Sequence, residues 1–143
     1  ASETARFFIT HTGHLSVLID APEAYNAKSD LFAFIRSLPV TWDETRYLEM
    51  DFDSHVAVIR RKGEDWFSGV VYNEKGGKHR MELDFLEPDV KYEATIFSDS
   101  PSTHYIKNKE AYLVKKEIVQ SDKVLETTVA PGGGYTIIFR KQN

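Results

Sequence analysis

Two adjacent carboxylates, Asp43 and Glu44, are the residues of this chain whose types first suggest catalytic chemistry. A pair of carboxyl groups can serve as acid and base in sugar cleavage, but the two must face one sugar from about 5–10 Å apart. Consecutive residues of an extended segment point to opposite faces, so this pair is poorly placed for that work. We predict instead that Trp42, Asp43, Glu44 and Arg46 form a structural junction between a helical segment and the first strand, held by hydrogen bonds and ion pairs.

Two further motifs fall short of a complete site. His11 and His14 are three residues apart on a predicted helix and could share a metal ion, but two ligands do not complete a site and no H-E-x-x-H pattern is present. His11 also lies on the apolar stripe of that helix, which favours a packed histidine. The run Pro131–Gly134 lacks the known phosphate-binding patterns, and we predict a loop that feeds the last strand. The sequence therefore predicts no catalytic, cofactor-binding or metal-binding residue.

Aromatic residues make up 13% of the chain and could form a platform on which sugars stack. The core of a β-sandwich normally takes up Trp and Tyr, so a packing role is the simpler interpretation. A carbohydrate-binding module stays open as the alternative, and a row of exposed rings on one sheet face would favour it. The aromatic residues to follow are Trp42, Trp66, Phe67, Tyr72, Tyr105 and Tyr112.

The elements that must position these residues change in type near residue 40. In residues 1–40, apolar side chains recur every three or four positions, which predicts two short helices separated near Pro22. The second helix runs from Ser29 to Leu38 and stops at Pro39. The apolar stripes of the two helices comprise Phe7, Phe8, His11, Leu15, Leu18 and Ile19 in the first and Leu31, Phe34, Ile35 and Leu38 in the second.

From residue 41 onward the pattern is one of strands and turns. Short runs with alternating or apolar character are separated every 8–12 residues by glycine- and proline-containing turns, which predicts an antiparallel Greek-key β-sandwich of about seven or eight strands. The fold class is therefore mainly β, with two short helices in front. The predicted strands are Tyr47–Phe52, His55–Lys62, Asp65–Asn73, Lys78–Phe85, Lys91–Ser98, Tyr112–Val119, Val124–Ala130 and Tyr135–Arg140.

Composition excludes several classes of function. The chain of 143 residues carries 18 Lys and Arg against 22 Asp and Glu, and the net charge of −4 argues against a generally basic nucleic-acid binder. The lack of cysteine excludes disulfides, thiolate metal sites and cysteine nucleophiles. No apolar run approaches the roughly 20 residues of a membrane-spanning helix. The opening residues do not resemble a signal peptide and no Met precedes them, so we expect a processed chain or a part of a longer one.

Most of the chain, from about Leu18 to Arg140, resembles the C-terminal end of glycoside hydrolase family 97. Two blocks are the most specific: Trp-Asp-Glu-Thr-Arg at residues 42–46 and Arg-Arg-Lys-Gly-x-x-Trp at residues 60–66. The other segments that carry the resemblance are Ala21–Tyr25, Asp30–Pro39, Val56–Gly69, Leu83–Leu86, Tyr92–Asp99 and Ala130–Gly134.

The resemblance implies a parent enzyme in three parts: an N-terminal β-sandwich, a catalytic (β/α)8 barrel and a C-terminal β-domain. Such enzymes hydrolyse α-glucosides or α-galactosides, many with a calcium ion near the catalytic carboxylates. It also implies that those carboxylates and calcium ligands lie upstream of this chain, so no catalytic role carries over to its residues. A periplasmic or extracellular bacterial location would follow from the habit of the family.

On this basis we expect residues 1–40 to be the last piece of the barrel and residues 41–143 to be the C-terminal domain. The chain alone would not be an enzyme, and its partners would be its own barrel or another subunit, with no nucleic acid or membrane. The helical stripes, including Phe7, Phe8 and Leu15, should then be exposed or covered by a neighbouring chain. A self-sufficient small enzyme stays open as a third hypothesis and would need a cleft with converging carboxylates or histidines.

Overall fold

The structure, a computed structural model, describes residues 1–10, 29–100, 103 and 111–142. Helix α1 spans Ser2–Thr10 and helix α2 spans Ser29–Ser37. In α2, Asp30 lies in the first turn and Arg36 in the last, which complements the helix dipole. No helix within these ranges combines the length and the apolar character needed to cross a membrane.

Eight strands follow the helices in the described part of the chain, close to the predicted positions. Turns with glycine at positive φ punctuate them, for example Gly63, with φ of 59°, between β2 and β3. The strands are β1 Glu44–Asp51, β2 His55–Lys62, β3 Asp65–Tyr72, β4 Gly77–Glu82, β5 Tyr92–Asp99, β6 Tyr112–Val119, β7 Val124–Val129 and β8 Gly134–Lys141.

The strands form two antiparallel sheets of unequal size. The larger has six strands in the order β1-β2-β3-β8-β5-β6, and the smaller pairs β4 with β7. The chain crosses to the small sheet after β3 and again after β6, and β8 returns between β3 and β5. The predicted fold class, a mainly antiparallel β-sandwich with two short helices in front, is confirmed.

The turn at Glu74–Gly77 does not form a hairpin. Glu74–Gly77 has the glycine punctuation of a hairpin, and Gly76 does adopt positive φ. However, β3 pairs with β2 and β8, whereas β4 pairs with β7, so this turn carries the chain from one sheet to the other. Turn chemistry specifies a reversal of direction and does not specify which strand the next one pairs with.

The main core lies between the two sheets. Alternate residues of the large sheet point toward the small one, and the largest fully buried side chains there include Tyr92, Tyr135 and Phe139. Leu83 and Leu86, which follow β4, close the same core. Inward-facing residues of both layers thus supply the apolar burial that holds the sandwich together.

A second core lies on the opposite face of the large sheet, beneath the helices. Phe8 from α1 is 0% exposed and Phe34 from α2 is 2% exposed, and they pack with Phe67, Phe97 and other residues of the sheet. The expectation that the helical stripes are exposed or covered by a neighbouring chain is therefore wrong for Phe8, Leu31 and Phe34, while Phe7 and Ile35 are half-buried. The predicted stripe residues from His11 to Ile19 lie outside the described residues. The physical reason is that this sheet is apolar on both faces, so the helices find their third surface within the chain.

A buried arginine fixes α1 on the sheet. Arg60 of β2 is 6% exposed and donates hydrogen bonds to the carbonyl oxygens of Phe8 and Ile9, the latter at 3.0 Å. Its guanidinium also lies 5.1 Å from the centre of the Phe8 ring. Burial lowers the pKa of Arg60, yet a guanidinium stays charged in proteins, so the cation complements the carbonyl end of the helix.

Candidate functional site

The predicted junction residues lie where α2 leads into β1, and Trp42 faces the helices. Its ring makes edge contacts with Phe8, at 5.7 Å between centroids, and with Phe67, at 5.2 Å. The guanidinium of Arg60 lies 5.6 Å from the centre of the Trp42 ring. Trp42 therefore joins α1 to the sheet through aromatic and cation–π contacts.

Asp43 and Glu44 contact separate partners, in line with their opposite orientations. Asp43 accepts the backbone N–H of Gly63 at 2.7 Å and pairs with Lys62 at 3.0 Å, so it ties the start of β1 to the β2–β3 turn. These two hydrogen bonds, the backbone one first, lower the pKa of Asp43. Glu44 pairs with Arg46 and, at 3.3 Å, with Arg61. Both carboxylates are thus committed to ion pairs at the surface.

Arg46 completes the group on the sandwich side. Its guanidinium lies 5.4 Å from the centre of the Trp66 ring, and that of Arg61 lies 5.9 Å from the same ring. The hydrogen bond from Arg46 is the main cause that lowers the pKa of Glu44. The four predicted residues therefore come together in space, on both sides of one strand end. Their role as a junction between domains stays a prediction.

The other residues singled out by sequence have structural surroundings where they are described. Trp66, Phe67 and Tyr72 are buried, and Tyr112 donates a hydrogen bond of 2.6 Å to Asp30 of α2. His11, His14 and Tyr105 lie outside the described residues. Among the large apolar side chains that are exposed in the described ranges, the only aromatic ones are Tyr47 and Phe52, so these ranges hold no row of exposed rings.

The glycine run Pro131–Gly134 leads into β8, as predicted. Gly132 adopts positive φ, and Asp99 accepts the backbone N–H of Gly134 at 2.9 Å. A Cβ on Gly133 would lie 2.0 Å from a carboxylate oxygen of Asp99. The glycines therefore make room for a buried carboxylate that organises the turn, which is a structural role.

Exposed apolar side chains gather at the β1 edge of the large sheet. Tyr47 is 61% exposed, Met50 is 49% exposed and Phe52, just beyond the strand, is 92% exposed. Tyr47 and Met50 pair with Val58 and Val56 of β2, which places them on the helix-covered face, beyond the helices. We call Tyr47, Met50 and Phe52 the β1 flank. Apolar groups clustered in this way are typical of a surface that contacts another protein.

The opposite edge combines apolar and charged residues. Leu113, Val114 and Ile118 of β6 are also exposed, but Lys115, Lys116 and Glu117 stand between Val114 and Ile118. Lysines on an edge strand are a common protection against unwanted strand pairing. The β1 flank is therefore the better candidate for a contact surface.

Sequence reasoning missed a cluster of Glu49, His55 and His79. These three residues come from β1, β2 and β4, and their ligand-type atoms all lie within 4.8 Å of one another. A β-bulge between Tyr47 and Glu49 places Glu49 opposite Ala57, on the sandwich face with the two histidines. Glu49 and His55 are six residues apart and His79 follows 24 residues later, which matches no metal-binding spacing.

The cluster has defined geometry. The Nε2 atom of His55 is 2.5 Å from a carboxylate oxygen of Glu49, and the Nε2 atom of His79 is 3.7 Å from the same oxygen. His79 is 2% exposed, and burial is the main cause that lowers its pKa. Such a mixture of imidazole and carboxylate is a donor set that divalent transition metals accept.

The fold and the β1 flank together define an antiparallel β-sandwich domain with a surface suited to contact with another protein. A family model described as glycosyl-hydrolase 97 C-terminal, oligomerisation, matches residues 41–140. The chain belongs to this family. The predicted resemblance to the C-terminal part of family 97 is thereby confirmed.

Individual relatives agree with this assignment. The chain is 27% identical over 130 residues to a retaining alpha-galactosidase from Bacteroides thetaiotaomicron, covering 91% of this chain and 19% of the relative. A glycoside hydrolase family 97 enzyme from Pseudoalteromonas sp. strain K8, solved in complex with acarbose, superimposes with a TM-score of 0.83 at 29% identity. That match covers 87% of this chain and 20% of the enzyme. A beta-arabinopyranosidase shares the fold, with a TM-score of 0.67 at 22% identity. That match covers 87% of this chain and 18% of the beta-arabinopyranosidase.

The chain thus spans about one fifth of the length of these two family relatives. What it has in common with them is the C-terminal domain, which the family description associates with oligomerisation. The predicted function as a C-terminal domain of this family is confirmed at that level.

Proposed function

We propose that this chain joins subunits of a larger α-glycoside hydrolase through the β1 flank. The observation that carries the proposal is the grouping of Tyr47, Met50 and Phe52 at one exposed sheet edge. The family description, which names oligomerisation, supports a second copy of the same protein as the partner.

The chemistry of the β1 flank suits an interface between identical subunits. Aromatic residues and Met are enriched in the buried centres of interfaces, whereas Lys and Glu are depleted there. In a two-fold dimer the same patch meets itself, so one apolar strip on each subunit suffices. The bulge in β1 disturbs its ladder, so we expect side chains rather than edge-to-edge strand pairing to form the contact.

Catalysis in the parent would reside outside this chain. Relatives of family 97 are about five times longer than the matched region, and the related protein from Bacteroides thetaiotaomicron is a retaining alpha-galactosidase. We propose a parent that hydrolyses α-glycosides, with α-galactosides as the first substrates to assay. Calcium in the parent's active site and a periplasmic location remain part of the proposal, on the resemblance alone.

Support of the barrel is a second role, favoured by the position of the β6 flank, Val114 and Ile118. These residues share the helix-covered face with α2, since Val114 pairs with Phe97 and Ile118 with Glu93. If residues 1–40 belong to the end of the barrel, as the resemblance implies, this face continues toward the barrel. The two flanks would then serve different partners.

Sedimentation velocity of the chain over a range of concentrations tests the main proposal. Wild-type chain should form a dimer, and the double variant Tyr47→Lys/Met50→Lys should be monomeric, because four charges would meet at the two-fold axis. The matched control is Val114→Lys/Ile118→Lys, which changes two exposed apolar residues at the other edge and should still dimerise. A wild-type chain that stays monomeric at the highest soluble concentration, or equal effects of the two variants, would contradict the proposal.

A further inference from the structure

We propose that Glu49, His55 and His79 form a binding site for a divalent transition-metal ion, with Zn²⁺ as the reference ion, that clamps the two sheets together. Glu49 and His55 belong to the six-stranded sheet and His79 to the two-stranded sheet. This inference is independent of the proposed subunit contact.

Hydrogen bonds around His55 fix the tautomer of its neutral ring and therefore which ring nitrogen carries the lone pair. Ser54 Oγ lies 2.7 Å from a carboxylate oxygen of Asp51 and 2.7 Å from Nδ1 of His55. A carboxylate only accepts, so Ser54 donates its single hydroxyl proton to Asp51 and accepts the Nδ1–H of His55. In neutral His55 the Nε2 lone pair therefore points at Glu49.

A lone pair and a carboxylate oxygen 2.5 Å apart repel each other unless a positive species lies between them. A proton on His55 is one solution, and it would give a simple ion pair. A metal ion, with the two atoms moved apart to about 3.3 Å, is the other solution. The two solutions differ in whether the Nε2 atom of His79 gains a partner.

His79 decides between these two solutions. Its Nδ1 atom is 2.5 Å from the hydroxyl oxygen of Tyr135, whereas its Nε2 atom is buried and has no hydrogen-bond partner among the described residues. In the tautomer that leaves the Nε2 lone pair free for a metal ion, the Nδ1–H of His79 donates to the hydroxyl oxygen of Tyr135. With only a proton between His55 and Glu49, the Nε2 atom of His79 stays 3.7 Å from the Glu49 oxygen, too far for a hydrogen bond, and a buried polar atom without one is costly. A metal ion would satisfy all three side chains at once.

The surroundings match those of known metal sites. A histidine ligand almost always has its other ring nitrogen held by an oxygen, which fixes the tautomer and the ring orientation. Ser54 does this for His55 and Tyr135 does it for His79, and the ring of Tyr72 stacks on His55 at 4.6 Å. The set of two neutral histidines and one carboxylate carries one negative charge, which suits a divalent cation.

Only small movements are needed to close the site. Tetrahedral zinc with ligand distances of about 2.0–2.1 Å requires its donor atoms to be about 3.3 Å apart. The three donor atoms already lie between 2.5 Å and 4.8 Å from one another. Glu49 is 46% exposed and can adjust its side chain, and its exposed side leaves room for a water molecule as the fourth ligand.

Calorimetric titration of the untagged, metal-stripped chain with Zn²⁺ tests the site. We expect one bound ion per chain, and Glu49→Gln and His55→Gln should each weaken Zn²⁺ binding at least tenfold. The matched control is His11→Gln/His14→Gln, which removes the other histidine pair noted in the sequence and should leave the affinity unchanged. The Nε2 nitrogen resonances of His55 and His79 should shift when Zn²⁺ is added.

Three results would overturn the proposal. One is the absence of Zn²⁺ binding, which would leave a protonated ion pair as the explanation of the cluster. The second is an unchanged affinity in both Glu49→Gln and His55→Gln. The third is loss of binding in the His11→Gln/His14→Gln control. His79→Gln is less suitable because His79 is buried and its replacement can prevent folding, so the test does not depend on it.

Discussion

At the scale of single residues, short polar contacts hold the strand ends in place. Asp43 shows this most simply, since its carboxylate accepts a turn N–H and pairs with Lys62. The residue types at positions 42–46 predicted hydrogen bonds and ion pairs, and the structure has them. Their partners could not be predicted, because Lys62 ends β2 and Gly63 lies in the turn after it, and only the register of the folded sheet brings them beside Asp43.

The contacts of Asp43 predict that the stability of the folded chain depends on pH in the acidic range. The pKa of Asp43 is lowered in the folded chain, so its contribution is fully present above the unfolded pKa of about 3.9 and is lost as the pH falls through the folded value. We expect Asp43→Asn to lower the urea midpoint slightly at pH 6, and the difference from wild type should shrink below pH 4. Equilibrium urea unfolding at a series of pH values measures this.

Glu82→Gln is the control for that experiment. Within the described ranges Glu82 pairs with Arg80 alone, both side chains are more than 60% exposed, and such surface pairs contribute little. The urea midpoint of Glu82→Gln should match that of wild type at every pH in the series. A gap between wild type and Asp43→Asn that stays constant from pH 6 to pH 3 would contradict the assigned role of Asp43.

At the scale of elements, the close contact between α1 and β3 was not predicted from the sequence. Gly69 lies on the helix-covered face of β3, and a Cβ there would meet the ring of Phe8 at 2.5 Å. The strand bounds were predictable because alternation and glycine turns are local signals. The packing of α1 was not, since a helical stripe does not specify which surface covers it.

Gly69→Ala should loosen α1. The added methyl group must displace Phe8, and overpacking of this kind typically destabilises a protein by about 1–3 kcal/mol. Hydrogen exchange of the amides of α1 should become faster than the loss in global stability alone explains. Chemical denaturation measures the global loss.

Gly63→Ala provides the contrast. Its Cβ would meet nothing within 4 Å, but its φ of 59° disfavours a side chain by about 1–2 kcal/mol. It should lower global stability without any selective effect on α1. Equal α1 exchange in the two variants would show that Gly69 has no special role in docking the helix.

At the scale of the whole molecule, the chain is a sandwich covered by helices on one side, with an apolar flank left open at β1. The resemblance to family 97 and the fold class were both predictable from the sequence, because the blocks at residues 42–46 and 60–66 are specific and the strand pattern is regular. The histidine–carboxylate cluster was not predictable. It depends on a bulge in β1 and on the crossing of β4 into the other sheet, and neither leaves a clear sequence signal.

The most direct test of the central claim is the size of the native polypeptide, measured by immunoblot of the source cells with an antibody raised against this chain. We expect a single band about five times the mass of the 16.4 kDa chain, since the matched region is one fifth of the length of the family relatives. A band at the mass of the chain itself would contradict the account, because the domain would then act without a catalytic parent.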